Sequence, residues 1–287
     1  MPIRLHEEDP ALLREAIRFT SAETGFTPRL IEKDYFCSVI LRHLTEAGAG
    51  LVFRGGTCLA KVHAGFYRLS EDLDFLIATP VDASRADRSR QATTAKRVIA
   101  AIGDRVPGLK VLSALRGAND SRHYAAVIGY ASLLGPQEET IKIEVGLREP
   151  LLMPEMQGEV RTLLLDPVPG EPMVPVFSVT CLSRQEAMAE KLRAALSRRE
   201  AAIRDFYDVD HAIRRQGLSM QDAELVSLVR GKLAVPGNAP VDVSAARLTS
   251  LRPQLESQLK PVLREVDFAA FDLDRAFASM AALAAAL

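Results

Sequence analysis

Two glycines set between an apolar run and a helical turn constrain this chain more than any other feature. Leu51-Val52-Phe53 reads as a short strand that stops at Gly55-Gly56, and Thr57-Cys58-Leu59-Ala60-Lys61-Val62 reads as the opening of a helix. A strand ending at two glycines before a helix N-terminus leaves backbone N–H groups pointing outward, and the missing Cβ atoms let phosphate oxygens approach them. Arg68-Leu69-Ser70-Glu71-Asp72-Leu73-Asp74-Phe75 follows after a short run. From Asp72 to Ile77 the side chains alternate, so Leu73, Phe75 and Ile77 share one face while Asp72 and Asp74 share the other. Two carboxylates held that close repel one another, and a bound cation is the simplest remedy. Alone, a glycine turn is most often only a turn and an Asp-x-Asp pair is often a solvated strand face. Their adjacency couples an anion site to a cation site.

A third element fits the first two. Thr140 to Arg148 alternates, with Ile141, Ile143, Val145 and Leu147 on a core face and Lys142, Glu144, Gly146 and Arg148 on the other. Glu144 is thereby a candidate third metal ligand; the residues alone equally allow an exposed charge paired with Lys142.

Gly-Gly-Thr-x-Leu-x-Lys, Arg-x-Ser-x-Asp-x-Asp-Phe, Ile-x-Ile-Glu-Val, and later Ala-Glu-Lys-Leu-Arg-Ala-x-x-x-Arg with Arg-Asp-Phe-Tyr-Asp-Val together resemble the AbiEii/AbiGii-type toxins. Ile31-Glu32-Lys33-Asp34-Tyr35 also looks like that family's N-terminal helix, so the resemblance runs from about residue 28 to about residue 215. It implies the DNA polymerase β-like nucleotidyltransferase superfamily: an α+β fold whose mixed sheet carries flanking helices, followed by a helical C-terminal region. Thr57 departs from the broader superfamily, where a serine usually follows the glycine, and the gap to Asp72 is longer.

The implied chemistry is transfer of a nucleoside monophosphate from an NTP, with two Mg²⁺ (or Mn²⁺) ions held by Asp72, Asp74 and Glu144. Gly55, Gly56 and Thr57 would position the phosphates, and Lys61, Arg68 and Lys191 would supply positive charge. Ser70, two residues before Asp72, is a candidate phosphate contact or self-modification site. Lys191 matches the family's lysine that engages the phosphates, although its place beside an apolar stripe also suits a snorkelling side chain. Asp205 matches the family's late acidic position, while Asp208 is expected to pair with Arg204 one helical turn back. The resemblance further implies a separately encoded antitoxin and, as acceptor, the 3′ end of tRNA. Transfer to a protein or an antibiotic hydroxyl, and a catalytically silent nucleotide-binding module, are the alternatives; the joint presence of Asp72, Asp74, Glu144 and Lys191 speaks against the silent one.

At 287 residues, 48% hydrophobic and 25% charged, the chain can bury one large core or two modest ones. The expected division is a nucleotidyltransferase domain over 1–180 and a helical domain over 181–287. Asp9 before Pro10 and Thr27 before Pro28 mark two N-terminal helices. Strands are expected near 51–54 and 72–78, a basic helix near 84–103, and strands near 109–114, 122–131 and 140–148. The prolines from Pro150 to Pro175 then carry the chain out of the sheet. Ser183 and Glu186 form the pattern of a capping box.

No apolar run has transmembrane length and no export signal opens the chain, so a cytoplasmic protein is expected. Cys37, Cys58 and Cys181 are far apart and form no Cys-x-x-Cys pair, which reads as three small core residues and not as a zinc site. None of the five histidines has ligand spacing with another. Net charge is −1, yet Val81 to His123 holds nine Lys/Arg against four acids, and Arg184 to Arg204 six against three. Such faces suit a polyanion, or simply water.

Overall fold

The computed structural model describes residues 3–287. Two compact units result, the first running through Leu151 and resuming over Glu155–Leu182, the second made of Leu152–Pro154 and Ser183–Leu287. The first unit opens with helices α1 (Leu5–Glu8), α2 (Pro10–Thr24) and α3 (Pro28–Glu46). The Asp9 side chain accepts from the Leu12 N–H at 2.9 Å, as a helix cap should. At α3 the helix starts at the expected proline, but the Thr27 hydroxyl makes no cap hydrogen bond. Strand β1 (Val52–Arg54) leads into the short helix α4 (Gly55–Cys58) and a π-helical turn over Leu59–Ala64, and β2 (Leu73–Leu76) follows.

The expected basic helix is broken into three: α5 (Arg85–Gln91), α6 (Thr93–Ala100) and α7 (Ile102–Arg105). Then come β3 (Leu109–Ala118), β4 (His123–Ala131) and β5 (Glu138–Gly146). The chain does not leave the sheet at the prolines. Strands β6 (Met156–Val160) and β7 (Phe177–Cys181) fall in that stretch, between Pro154 and Pro167 and just after Pro175. Proline lacks a ladder donor but is harmless outside the strands it bounds, so these residues delimit strands instead of ending the sheet.

The seven strands lie in the order β3-β4-β5-β2-β1-β7-β6. Pairing is parallel for β2 with β5 and β1 with β7, and antiparallel elsewhere. This is the mixed sheet with flanking helices that the resemblance implied. The strands bearing the candidate acids are neighbours, with β2 between β1 and β5. Their core face is dry: Phe53, Leu73, Phe75, Ile143 and Val145 are at most 2% exposed. All three cysteines are buried and none is in a disulfide. Cys58 and Cys181 are nevertheless not isolated, because the fold brings them together with His63.

The second unit is helical: α8 (Arg184–Ser197), α9 (Ile203–Gln216), α10 (Ala223–Leu233), α11 (Ala245–Leu251), α12 (Glu265–Ala269) and α13 (Leu273–Ala286). The Ser183 hydroxyl caps α8 by accepting from the Glu186 N–H at 3.2 Å. The reciprocal half of the expected capping box is absent, since the Glu186 carboxylate instead accepts from the backbone N–H groups of Leu152 and Met153 at 3.1 and 2.8 Å. The same carboxylate meets Lys232 Nζ at 2.6 Å, and Glu190 lies 3.3 Å from that nitrogen. No helix among the described residues is long and apolar enough to cross a membrane.

Lys232 and Glu186 are wholly buried. Removing one member of a buried charge pair leaves the other desolvated without compensation. Lys232→Met is therefore expected to lower stability by about 3–5 kcal/mol, read as a fall in urea midpoint. A midpoint unchanged from the parent would mean that the two glutamates do not depend on this lysine.

Candidate active site

The site is built around the turn after β1. Gly55 has φ +77°, a region L side chains rarely enter. A Cβ there would also overlap Asp74 Oδ2 and stand 2.7 Å from Asp74 Cβ. Gly56 is tight on its other side, where a Cβ would overlap the Arg68 guanidinium and stand 3.2 Å from Ser70 Oγ. Arg68 has little freedom to yield, being 2% exposed and donating to the Leu69 carbonyl at 3.1 Å. The bare backbone of the two glycines is thus pressed between a carboxylate and a buried cation with a hydroxyl beside it.

Sheet register sets the acids. Arg54 pairs with Asp74 across β1 and β2, Asp74 pairs with Glu144 across β2 and β5, and Glu144 pairs with Ala125 on β4. Directly paired residues point to the same face, so a cation, two carboxylates and a methyl group form one row across four strands. Leu73 pairs with Ile143, and the same register run one residue back sets Asp72 beside Lys142. Lys142 forms an ion pair with Glu144. That hydrogen bond, aided by the charges of Glu144, Asp72 and Asp74, raises the Lys142 pKa above the ordinary lysine value. Asp72, Asp74 and Glu144 are half-buried. One ammonium thus pairs with Glu144 and feels the charges of Asp72 and Asp74 beside it.

The side chains of two expected phosphate contacts have partners within the fold. The Thr57 hydroxyl donates to the Asp72 backbone carbonyl, and the residue is 1% exposed; it positions the acidic loop and has no hydroxyl hydrogen left to offer a phosphate. Lys61 is 2% exposed, with Nζ 2.6 Å from Asp34 Oδ1 and 2.8 Å from Ser38 Oγ. Its charge is committed to α3. Sequence spacing cannot show this, because helical geometry allows Lys61 to face either the turn or the interior.

In the second unit, Lys191 Nζ lies 2.9 Å from Asp205 Oδ1 and 2.9 Å from Asp208 Oδ2, and Arg198 reaches Asp205 at 3.5 Å. The expected pairing of Asp208 with Arg204 gives way to this one, in which the Asp208 side chain is fully buried against Lys191. Lys191 and Asp205 are thus brought together, with Asp208 as a second anchor.

Arg54 and Lys142 are functional candidates the sequence reading passed over. Arg54 Nε donates to the Phe75 carbonyl at 3.2 Å, and its guanidinium lies so close to Gly146 that a Cβ there would stand 2.8 Å away. Its place one residue before the glycines was visible, but its partner across the sheet was not. Beside Asp72, Glu71 turns toward α3: Lys33 and Arg29 each meet its carboxylate at 3.1 Å. Burial opposes that charge, but the two cations outweigh it and hold Glu71 below the ordinary carboxylate value.

Residues 39–282 match the family described as "Nucleotidyl transferase AbiEii toxin, Type IV TA system", and the chain belongs to that family. Among solved structures it is similar to JHP933 from Helicobacter pylori, with 16% identity and a TM-score of 0.52 over 91% of this chain and 92% of that one. A second H. pylori structure, of a candidate nucleotidyltransferase, is 16% identical with a TM-score of 0.49 over 91% and 95%. At this identity the likeness to JHP933 concerns the fold. No curated protein matches the chain.

The two readings of Lys61 separate cleanly by experiment. As Asp34's buried counter-ion it is structural, so Lys61→Met is expected to cost about 3–5 kcal/mol of stability. A variant as stable as the parent but with a raised KM for NTP would return Lys61 to the phosphate site.

Proposed function

We propose that this member of the AbiEii family transfers a nucleoside monophosphate from an NTP to an acceptor hydroxyl, foremost the 3′ end of tRNA, in the cytoplasm. The observation that carries the reading is the row Arg54, Asp74 and Glu144, with Asp72 one step back, set against a side-chain-free turn. The donor set is all carboxylate oxygen, which suits a hard divalent cation, and Gly55 leaves no side chain between the turn and the Asp74 carboxylate. Magnesium or manganese ions held by Asp72, Asp74 and Glu144 would lower the pKa of the attacking hydroxyl and neutralise the triphosphate and the departing pyrophosphate.

The chain's own groups supply the rest. Backbone N–H groups of Gly55 and Gly56 bind phosphate oxygens, and the Ser70 hydroxyl adds a neutral donor. Arg68, fixed behind Gly56, contributes a positive potential that costs no reorganisation during the reaction. Thr57 holds the Asp72 loop against the turn, so the acids and the phosphate donors keep one relative position. Lys142 pairs with Glu144 and sets a positive charge beside the three acids. Lys191 binds phosphate oxygens, with Asp205 and Asp208 fixing where its ammonium sits.

A polynucleotide acceptor is supported by the segment from Val81 to His123. Arg88 is buried, donating to the Leu147 and Val81 carbonyls, and Lys96 sits over the Tyr124 ring. Arg85, Arg90, Arg97, Arg105, Lys110, Arg116 and Arg122 are exposed. Phosphate neutralisation by such side chains is long-ranged and salt-dependent. Membership of a type IV toxin–antitoxin family supports growth inhibition relieved by a separate antitoxin.

Incubation with total tRNA and each labelled NTP in turn is expected to put label into RNA, in a reaction that weakens as salt rises. Asp74→Asn is expected to lower the rate at least about 10²–10³-fold without lowering the melting temperature, since the shape against Gly55 is kept and like-charge repulsion is relieved. Lys191→Met, which removes a charge-assisted contact of about 1.5–3 kcal/mol, is expected to weaken NTP binding by about one to two decades. Label in the protein alone would move the acceptor to a polypeptide, and full activity of Asp74→Asn would remove the metal assignment.

A further inference from the structure

Cys58, His63 and Cys181 take no part in the chemistry described above, yet they form a cluster. One donor atom from each lies within 4.8 Å of the other two. Cys58 closes α4, His63 sits five residues on in the π-helical turn, and Cys181 ends β7 opposite Phe53. Both cysteines are 0% exposed.

Buried cysteines often serve only as small apolar residues. Two details go beyond that role. His63 Nε2 lies 3.0 Å from the Leu182 carbonyl oxygen. A carbonyl only accepts, so this contact puts the proton on Nε2 and leaves Nδ1 as the nitrogen with a lone pair, in a ring that also hydrogen-bonds with Cys181. An imidazole oriented by a backbone carbonyl is the usual support of a metal-bound histidine. Space is also kept at the sulfur: Gly158 on β6 packs so closely that a Cβ would stand 2.7 Å from Cys181 Sγ.

The dimensions suit one metal in particular. On tetrahedral zinc two thiolates at about 2.3 Å lie about 3.8 Å apart, and a thiolate and an imidazole nitrogen about 3.5 Å apart. Donor atoms already within 4.8 Å need to close by about an ångström, which side-chain rotation supplies. Two sulfurs and an imidazole select a thiophilic cation and reject the magnesium that an all-carboxylate site takes. A disulfide between the two cysteines would use both sulfurs and leave the oriented histidine without purpose.

We propose that Cys58, Cys181 and His63 bind one Zn²⁺, with a water molecule as fourth ligand. Zinc binds both sulfurs as thiolates, so whatever protons the two thiols still hold leave as the cation enters. The ion ties the helix that follows the Gly55-Gly56 turn to strand β7. Its donors are distinct from the carboxylates proposed above to hold magnesium or manganese.

The test uses the full chain, purified reduced and stripped of metal. Addition of Co²⁺ is expected to produce thiolate-to-cobalt charge-transfer absorption together with the visible bands of a tetrahedral site, and one equivalent of Zn²⁺ should abolish both. Zinc should raise the melting temperature of the parent. Cys58→Ser and Cys181→Ser are each expected to weaken zinc binding at least tenfold by competition with a chromophoric chelator. Cys37→Ser and Asp74→Asn should leave the cobalt spectrum intact. Because the parent's own spectrum and zinc stoichiometry decide the matter, a poorly folding variant does not obscure the answer. Lack of charge-transfer absorption in the reduced parent, a Cys58–Cys181 disulfide in the isolated protein, or tight zinc binding that survives both serine changes together would each overturn the proposal.

Discussion

The buried ion pair between Asp34 and Lys61 is the constraint on which the candidate site depends. Asp34 sits midway along α3 and Lys61 in the π-helical turn that continues from the two glycines. Their contact at 2.6 Å, with Ser38 also accepting from Lys61, fixes that turn against α3. The Asp34 carboxylate also accepts from the Leu163 N–H at 3.2 Å. Neighbours on α3 reach other parts of the same unit: Glu32 accepts from Ser132 and Leu133, and Lys33 meets Glu71. Three consecutive ionisable residues thereby hold the turn, the acidic loop and the far end of the sheet in register with one helix. A buried ion pair adds little net stability over a well-packed apolar pair. Its value here is geometric, because a misplaced turn would leave a charge unpaired.

With position settled, the site is governed by repulsion. Asp74 and Glu144 are adjacent in a parallel ladder, and Asp72 follows from the same register. Like charges in direct cross-strand contact destabilise a sheet. Arg54 on one side and Lys142 on the other soften the conflict without removing it, since Arg54 also serves the Phe75 carbonyl and Glu149 and one ammonium faces three acids. A sheet that keeps such a cluster on an open face is biased toward taking up positive charge.

Much of this was legible in the chain. The two glycines, the Asp-x-Asp pair and the alternation around Glu144 depend on local sterics and on period-two geometry, both of which operate within a few residues. Long-range consequences were not legible. Lys61 and Thr57 have the right chemistry for phosphate, and only the packing of α3 and the Asp72 loop shows that their polar groups are engaged. Strands β6 and β7 were hidden by prolines that lie just outside them. Cys58, His63 and Cys181 escaped because ligand spacing along the chain is informative only when one local motif supplies the donors. Glu186 matched a capping box, but its carboxylate serves Lys232 and the backbone of Leu152 and Met153 instead.

Strand order has a consequence for synthesis. Strand β1 lies in the middle of the sheet, yet one of its neighbours, β7, is made only when residues 177–181 emerge from the ribosome. At about 5–20 residues per second, the edge of β1 waits roughly 6–25 s for its partner. During that interval the strand carrying Phe53 and Arg54 has an unpaired row of backbone groups, the kind of edge that invites pairing with another chain. The waiting edge is where translation and misassembly compete.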